Sequence, residues 1–135
     1  MRRFDAYSSA LRVLSRANEQ DLGNEFILSG IVDKFSLQFE LGWKLLKDLL
    51  RYEGLAEAAT GSPRGILKAA YRYFDFVDEE IWLCMLRDRN SIAHVYDGEA
   101  LERLVNIVLS SYIPAFCELE TNIVKYYGSE LELIA

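Results

Sequence analysis

The sequence predicts an all-α protein, an antiparallel bundle of about five helices, and three observations carry that reading. Apolar residues recur at three- and four-residue spacing through most of the chain, which is the period of a helix. Short stop and start signals built from Gly, Asn, Ser and Pro separate these segments, and short connections make neighbouring helices antiparallel. No stretch alternates polar and apolar residues convincingly enough to be a strand.

Composition sets the outer limits. The 135 residues are 51% apolar and 13% aromatic, enough for one folded domain spanning 1–135 with a real core. A net charge of −6 argues against a protein that coats nucleic acid, and specific DNA binding is not expected. Cys84 and Cys117 are too few for a disulfide framework and too far apart for a metal signature, so reduced thiols are expected. Arg2-Arg3 lacks the apolar stretch that would follow in a twin-arginine signal, and no uninterrupted apolar run approaches the roughly 20 residues of a membrane span. The expected location is the cytoplasm, with no membrane partner.

The first helix should run from Phe4 to about Asn18, with Phe4, Tyr7, Leu11 and Leu14 on one face. Leu22-Gly23-Asn24 is a stop followed by an N-cap. The next helix, from about Glu25 to Tyr52, has so broad an apolar face that it reads as the central element, with area left for a second subunit. Gly42 inside it costs about 1 kcal/mol relative to Ala, and a close helix approach is the expected compensation. Trp43 is expected in the core. Residues 54–62 form a loop, after which Ser62-Pro63 reads as N-cap and first helical residue. That helix, to about Phe74, carries Arg64, Lys68 and Arg72 as a basic stripe starting at a helix N-terminus, a place suited to an anion. Asp78-Glu79-Glu80 opens a fourth helix that is expected to continue to the Asp97-Gly98 turn. A last helix covers Glu99 to Tyr127, kinked or broken by Pro114 near Ser110–Ile113, and a tail begins at about 128.

The candidate chemistry lies at the end of the fourth helix, where Arg87, Arg89, Asn90, the chain's one histidine His94, and Tyr96 fall within ten residues. If the helix continued, Arg87 and His94 would share one face and Arg89 and Tyr96 another. No P-loop, glycine-rich dinucleotide motif or zinc pattern is present, and no cofactor or metal is expected. An arginine with a histidine suits phosphodiester chemistry without a metal: histidine moves a proton near neutral pH while arginine stabilises charge on the phosphoryl group. RNA cleavage by its own 2′-hydroxyl needs both a base and an acid. With a single histidine per chain, that chemistry calls for a homodimer that brings both copies of His94 to one cleft.

The segment Arg89-Asn90-x-x-x-His94-x-Tyr96 resembles the R-x4-H-x-Y motif of HEPN proteins (higher eukaryote and prokaryote nucleotide-binding). Lys34-Phe35, the run Phe39-Glu40-Leu41-Gly42-Trp43-Lys44-Leu45-Leu46-Lys47, then Gly61-Ser62-Pro63-Arg64, and Trp82 through Asp97 are similar to one branch of it, the nucleotidyltransferase substrate-binding proteins. The resemblance spans roughly residues 5 to 127 and implies a bundle of about five helices, usually a homodimer, serving as substrate- or nucleotide-binding partner of a minimal nucleotidyltransferase in a two-component, toxin–antitoxin-like system. The alternative that it implies is a HEPN toxin, a metal-independent ribonuclease acting on RNA, silenced when the partner enzyme transfers AMP to a tyrosine. Carried over by motif position, Arg89 and His94 would be catalytic, Asn90 their polar neighbour and Tyr96 the modified tyrosine. Arg87 and Arg64 are the further candidates for binding the nucleotide or RNA.

Overall fold

The computed structural model describes residues 1–59, 61–95 and 97–134. Its helices are α1 (Arg2–Leu14), α2 (Glu25–Tyr52), α3 (Pro63–Tyr73), α4 (Glu79–Asn90), α5 (Gly98–Ile107) and α6 (Ile113–Tyr127), and no strand occurs among the described residues. A π-helical turn, Val108–Tyr112, joins α5 to α6, so the chain forms five helical rods. This is the all-α bundle that the periodicity predicts.

The central element is α2, about 42 Å long at 1.5 Å per residue. Asn24 caps it, its side chain accepting from the amides of Phe26 and Ile27. It packs against α1, α3, α4 and α5 and buries Leu28, Ile31, Phe35, Phe39, Leu45 and Leu49, among others. Two buried polar groups tie the rods together: Gln38 donates to the Tyr7 carbonyl at 3.0 Å, and the Tyr7 hydroxyl donates to the Phe116 carbonyl at 2.7 Å. Gly42 makes room for α4, since a Cβ there would stand 2.6 Å from the ring of Trp82. The fully enclosed tryptophan is therefore Trp82; Trp43, expected in the core, is half-buried at its edge.

Pro114 does not break the last rod. Proline cannot donate to the preceding turn, and the wider turn at Val108–Tyr112 takes up the mismatch while the helix continues. By length and composition, Gly98–Leu133 would be long and apolar enough to cross a membrane, which the uninterrupted-run criterion did not anticipate. Its apolar residues form a stripe, however: Leu104, Val108, Phe116 and Ile123 are buried in the bundle, while Glu102, Arg103, Asn106 and Lys125 are exposed.

Away from the α4 end, three segments differ from expectation. Helix α1 stops at Leu14 and the chain continues through a 3-10 turn, Ala17–Glu19. The 54–62 loop contains a 3-10 turn, Ala56–Ala59. The segment after Tyr127 is not a loose tail: Gly128, in the left-handed region at φ 55°, ends α6, and a 3-10 turn then seats Leu131 and Ile134 in the core.

Candidate functional site: an arginine cleft between two helix ends

Because α3 and α4 are consecutive and pack against each other, the start of α3 lies beside the end of α4. Between them is a cleft of about 400 Å³. Ser62, Pro63 and Arg64 line it from α3, Arg87, Arg89 and Asn90 from α4, and Leu83 and Leu86 add apolar area. Four residues singled out in the sequence, Arg64, Arg87, Arg89 and Asn90, thus meet at one place.

The local sequence dictates both walls. Ser62 caps α3, its hydroxyl accepting from the Gly65 amide at 3.1 Å, and Pro63 occupies the first turn, where its missing N–H costs nothing. With Pro63 lacking an N–H and the Gly65 amide taken by Ser62, what the α3 start brings to the cleft is chiefly the positive end of the helix dipole. Arg64, exposed, has no ion-pair partner among the described residues. The basic stripe expected along α3 does not form one site. Lys68 is held by Glu79 at 3.3 Å, and Arg72 lines a separate small hollow with Glu57 and Tyr73.

Arg89 is the most constrained of the set, with a side chain only 25% exposed. Its Nη1 lies 2.9 Å from Glu40 Oε1, and its guanidinium covers the Phe39 ring at 5.3 Å. Its Nε is buried without a hydrogen-bond partner. Glu40 in turn accepts from Trp43 Nε1 at 3.1 Å and stands 3.5 Å from Lys44 Nζ. Phe39 packs on Trp82 at 5.9 Å, and Trp82 covers Gly42. The run Phe39–Lys44 and the α4 arginine, distant in sequence, are therefore one structural unit. Spacing alone gives no signal for Glu40; an acid at the edge of the apolar face of a central helix was the available clue.

Arg87 is mostly exposed and pairs with Asp88 at 3.3 Å. The Asp88 hydrogen bond raises the Arg87 pKa further, so its charge is secure. Asp88 also accepts from the Tyr112 hydroxyl, and burial together with that bond pushes the Tyr112 phenol well up.

The structure departs from expectation at His94. Helix α4 ends at Asn90, not at Asp97. Ser91 takes over: its amide bonds to the Arg87 and Asp88 carbonyls, and its hydroxyl donates to the Arg87 carbonyl at 3.0 Å, satisfying the helix end locally. Asp97-Gly98 is a start rather than a stop, the Asp97 side chain capping α5 at the Ala100 amide, 2.7 Å away. His94 lies between these caps, exposed in a 3-10 turn, Ile92–His94. The shared helical face predicted for Arg87 with His94 therefore does not exist. His94 is not among the residues lining the arginine cleft. Tyr96 lies outside the described residues.

Residues 2–125 match the model of the family described as nucleotidyltransferase substrate binding protein like. The chain belongs to that family. No curated protein matches the chain. In this nucleotidyltransferase substrate-binding-like chain the matched span takes in both walls of the cleft and the Phe39–Lys44 run behind Arg89, and ends within α6.

Proposed function

We propose that this chain is the substrate-binding partner of a minimal nucleotidyltransferase and holds a nucleotide in the cleft between the α3 start and the α4 end. The observation that carries the reading is the convergence of Arg64, Arg87, Arg89 and Asn90 on one cleft at the positive end of α3. Guanidinium groups and the positive end of a helix are recurring means of holding phosphate. Arg64 brings a charge that no described carboxylate has claimed. Arg89, fixed by Glu40 and Phe39, keeps further N–H donors in a set direction. The Asn90 amide adds a donor and an acceptor for a base or sugar. Family membership supports the partner role, and the pair would form a two-component, toxin–antitoxin-like system.

A second reading keeps Arg89 and His94 as catalytic residues of a metal-independent ribonuclease, silenced by AMP on Tyr96. What favours it is the exposure of His94 in the turn directly after the Arg89 helix. It requires a homodimer, since each chain supplies one histidine.

Co-expression with a candidate minimal nucleotidyltransferase partner tests both. The partner reading expects a stable complex that binds ATP, with affinity falling about tenfold or more in Arg64→Ala while the complex persists. Cleavage of RNA by the isolated chain, lost in both Arg89→Ala and His94→Ala, together with a mass gain of AMP on Tyr96 in the complex, would replace it with the ribonuclease reading.

A further inference from the structure

The end of the bundle where α2, α3 and α6 terminate carries a cluster that the arginine cleft does not use. Tyr52, Tyr73 and Tyr126 are 41%, 42% and 50% exposed there, around buried Phe74 and Tyr127. The rings interlock: Tyr126 stands 4.8 Å from Tyr127 and 5.5 Å from Phe74, Tyr73 is 5.0 Å from Phe74, and Tyr52 is 6.2 Å from Tyr127. Two carboxylates border them. The Tyr73 hydroxyl donates to Glu53 at 2.6 Å, and Glu130 lies beside the Tyr52 hydroxyl. Neither Glu53 nor Glu130 pairs with a cation among the described residues.

A second observation is independent of the carboxylates. Tyr127 is 6% exposed, and its hydroxyl is buried with no hydrogen-bond partner. Buried polar atoms are nearly always paired, and leaving one unpaired is costly. The hydroxyl is within electrostatic reach of Glu53 and Glu130, which, behind burial, help to raise its pKa. The Tyr127 ring packs against those of Tyr52, Phe74 and Tyr126, which places this unpaired hydroxyl within the same cluster.

We propose that this corner docks an arginine-bearing segment of a partner protein. The chemistry fits a guanidinium group on three counts. Its planar face stacks on tyrosine rings, which attract cations through their π faces. Its N–H groups match the two carboxylates, which lack a cation of their own. A remaining N–H is the complementary donor for the oxygen of the unpaired Tyr127 hydroxyl in the same cluster. A lysine satisfies the charge but not the stacking. Exposed tyrosines around a buried anchor are also the usual composition of a binding hot spot. The inference does not depend on the cleft reading, since no residue is shared.

The test is a titration of the isotope-labelled full chain with a short Gly/Ser peptide carrying arginines, and with its lysine counterpart. The arginine peptide is expected to shift the signals of Tyr52, Tyr73, Tyr126 and Tyr127 and to bind several-fold tighter than the lysine peptide. The double variant Glu53→Gln/Glu130→Gln should weaken it by about tenfold. The charge-matched double Glu25→Gln/Glu102→Gln, on exposed residues elsewhere, should change it less than about twofold. All four sites are on the surface or half-buried, and a thermal melt of each variant confirms the fold. Equal weakening in both doubles, equal affinity for lysine and arginine, shifts that map elsewhere, or no binding would each overturn the proposal.

Discussion

The two ends of α3 are built to opposite rules. At its start the chain gathers arginines over a tightly packed aromatic base, with Trp82 on Gly42, Phe39 on Trp82 and Arg89 on Phe39. At its finish it gathers tyrosines and acids that are half exposed. The helix is only 11 residues long, about 16 Å, so a positive cleft and a negative aromatic corner sit close together on a protein of net charge −6. The comparison teaches that overall charge is a poor guide to ligand. An acidic total sits awkwardly with phosphate binding, yet three arginines are concentrated where two helix ends meet.

The comparison predicts that truncating the buried aromatic base of the cleft costs more stability than truncating the half-exposed tyrosines of the corner. Trp82→Ala should cost about 3–5 kcal/mol in urea unfolding, and Gly42→Val about 1–3 kcal/mol through overpacking against that ring. Tyr126→Ala, half exposed, should cost less than about 1 kcal/mol. Similar losses at both ends would erase the distinction.

Ligand binding should separate the ends next. Arg64→Ala and Arg89→Ala are each expected to weaken ATP about tenfold or more, whereas Tyr73→Phe leaves it unchanged in the same calorimetric titration.

A smaller effect belongs to Glu40. Glu40→Gln keeps a hydrogen-bonding side chain beside Trp43 but removes the charge facing Arg89. We expect a loss of about 1 kcal/mol in chemical denaturation, because that pair is mostly shielded from water. A loss below the error of the measurement would mean that Phe39 alone holds Arg89.

Alkaline pH gives the mildest contrast. Burial raises the phenols of Tyr7 and Tyr112 well above 10, and Tyr73, through its bond to Glu53, is raised to about 12. A folded pKa above the unfolded value gives stability that is fully present below pH 10 and is lost as pH rises through the folded pKa. Tyr73, at the corner, should ionise in the folded protein as pH passes about 12, and Tyr7 and Tyr112 only as the bundle opens. Phenolate absorbance followed together with circular dichroism checks the order. Full ionisation of all eight tyrosines in one step before any loss of helix would refute it.

The sequence was most legible where a physical signal was local. Asn24, Ser62 and Asp78 each cap a helix as their side chains dictate, and α2 runs from Glu25 to Tyr52 as its apolar pattern says. The close approach at Gly42 was also readable, since glycine in mid-helix needs a reason. Of the four candidate residues that meet in the cleft, three came from the motif region and Arg64 from a helix start. What misled was competition between caps. Ser91 and Asp97 each offer the backbone a local partner, and together they cut out the turn that holds His94, where spacing alone reads one continuous helix. The Glu40 contact was illegible for a different reason: an ion pair between distant helices has no period. The same holds for the tyrosine corner, assembled from three chain segments.

The most direct test of the account is to map where ATP contacts the isotope-labelled chain in complex with its nucleotidyltransferase. The account predicts amide shifts concentrated at Ser62, Arg64 and Gly65 and at Arg87, Arg89 and Asn90, with Tyr52, Glu53, Tyr126 and Tyr127 unmoved by nucleotide. Shifts absent from the α3 start and the α4 end, while ATP binds the complex, would contradict it.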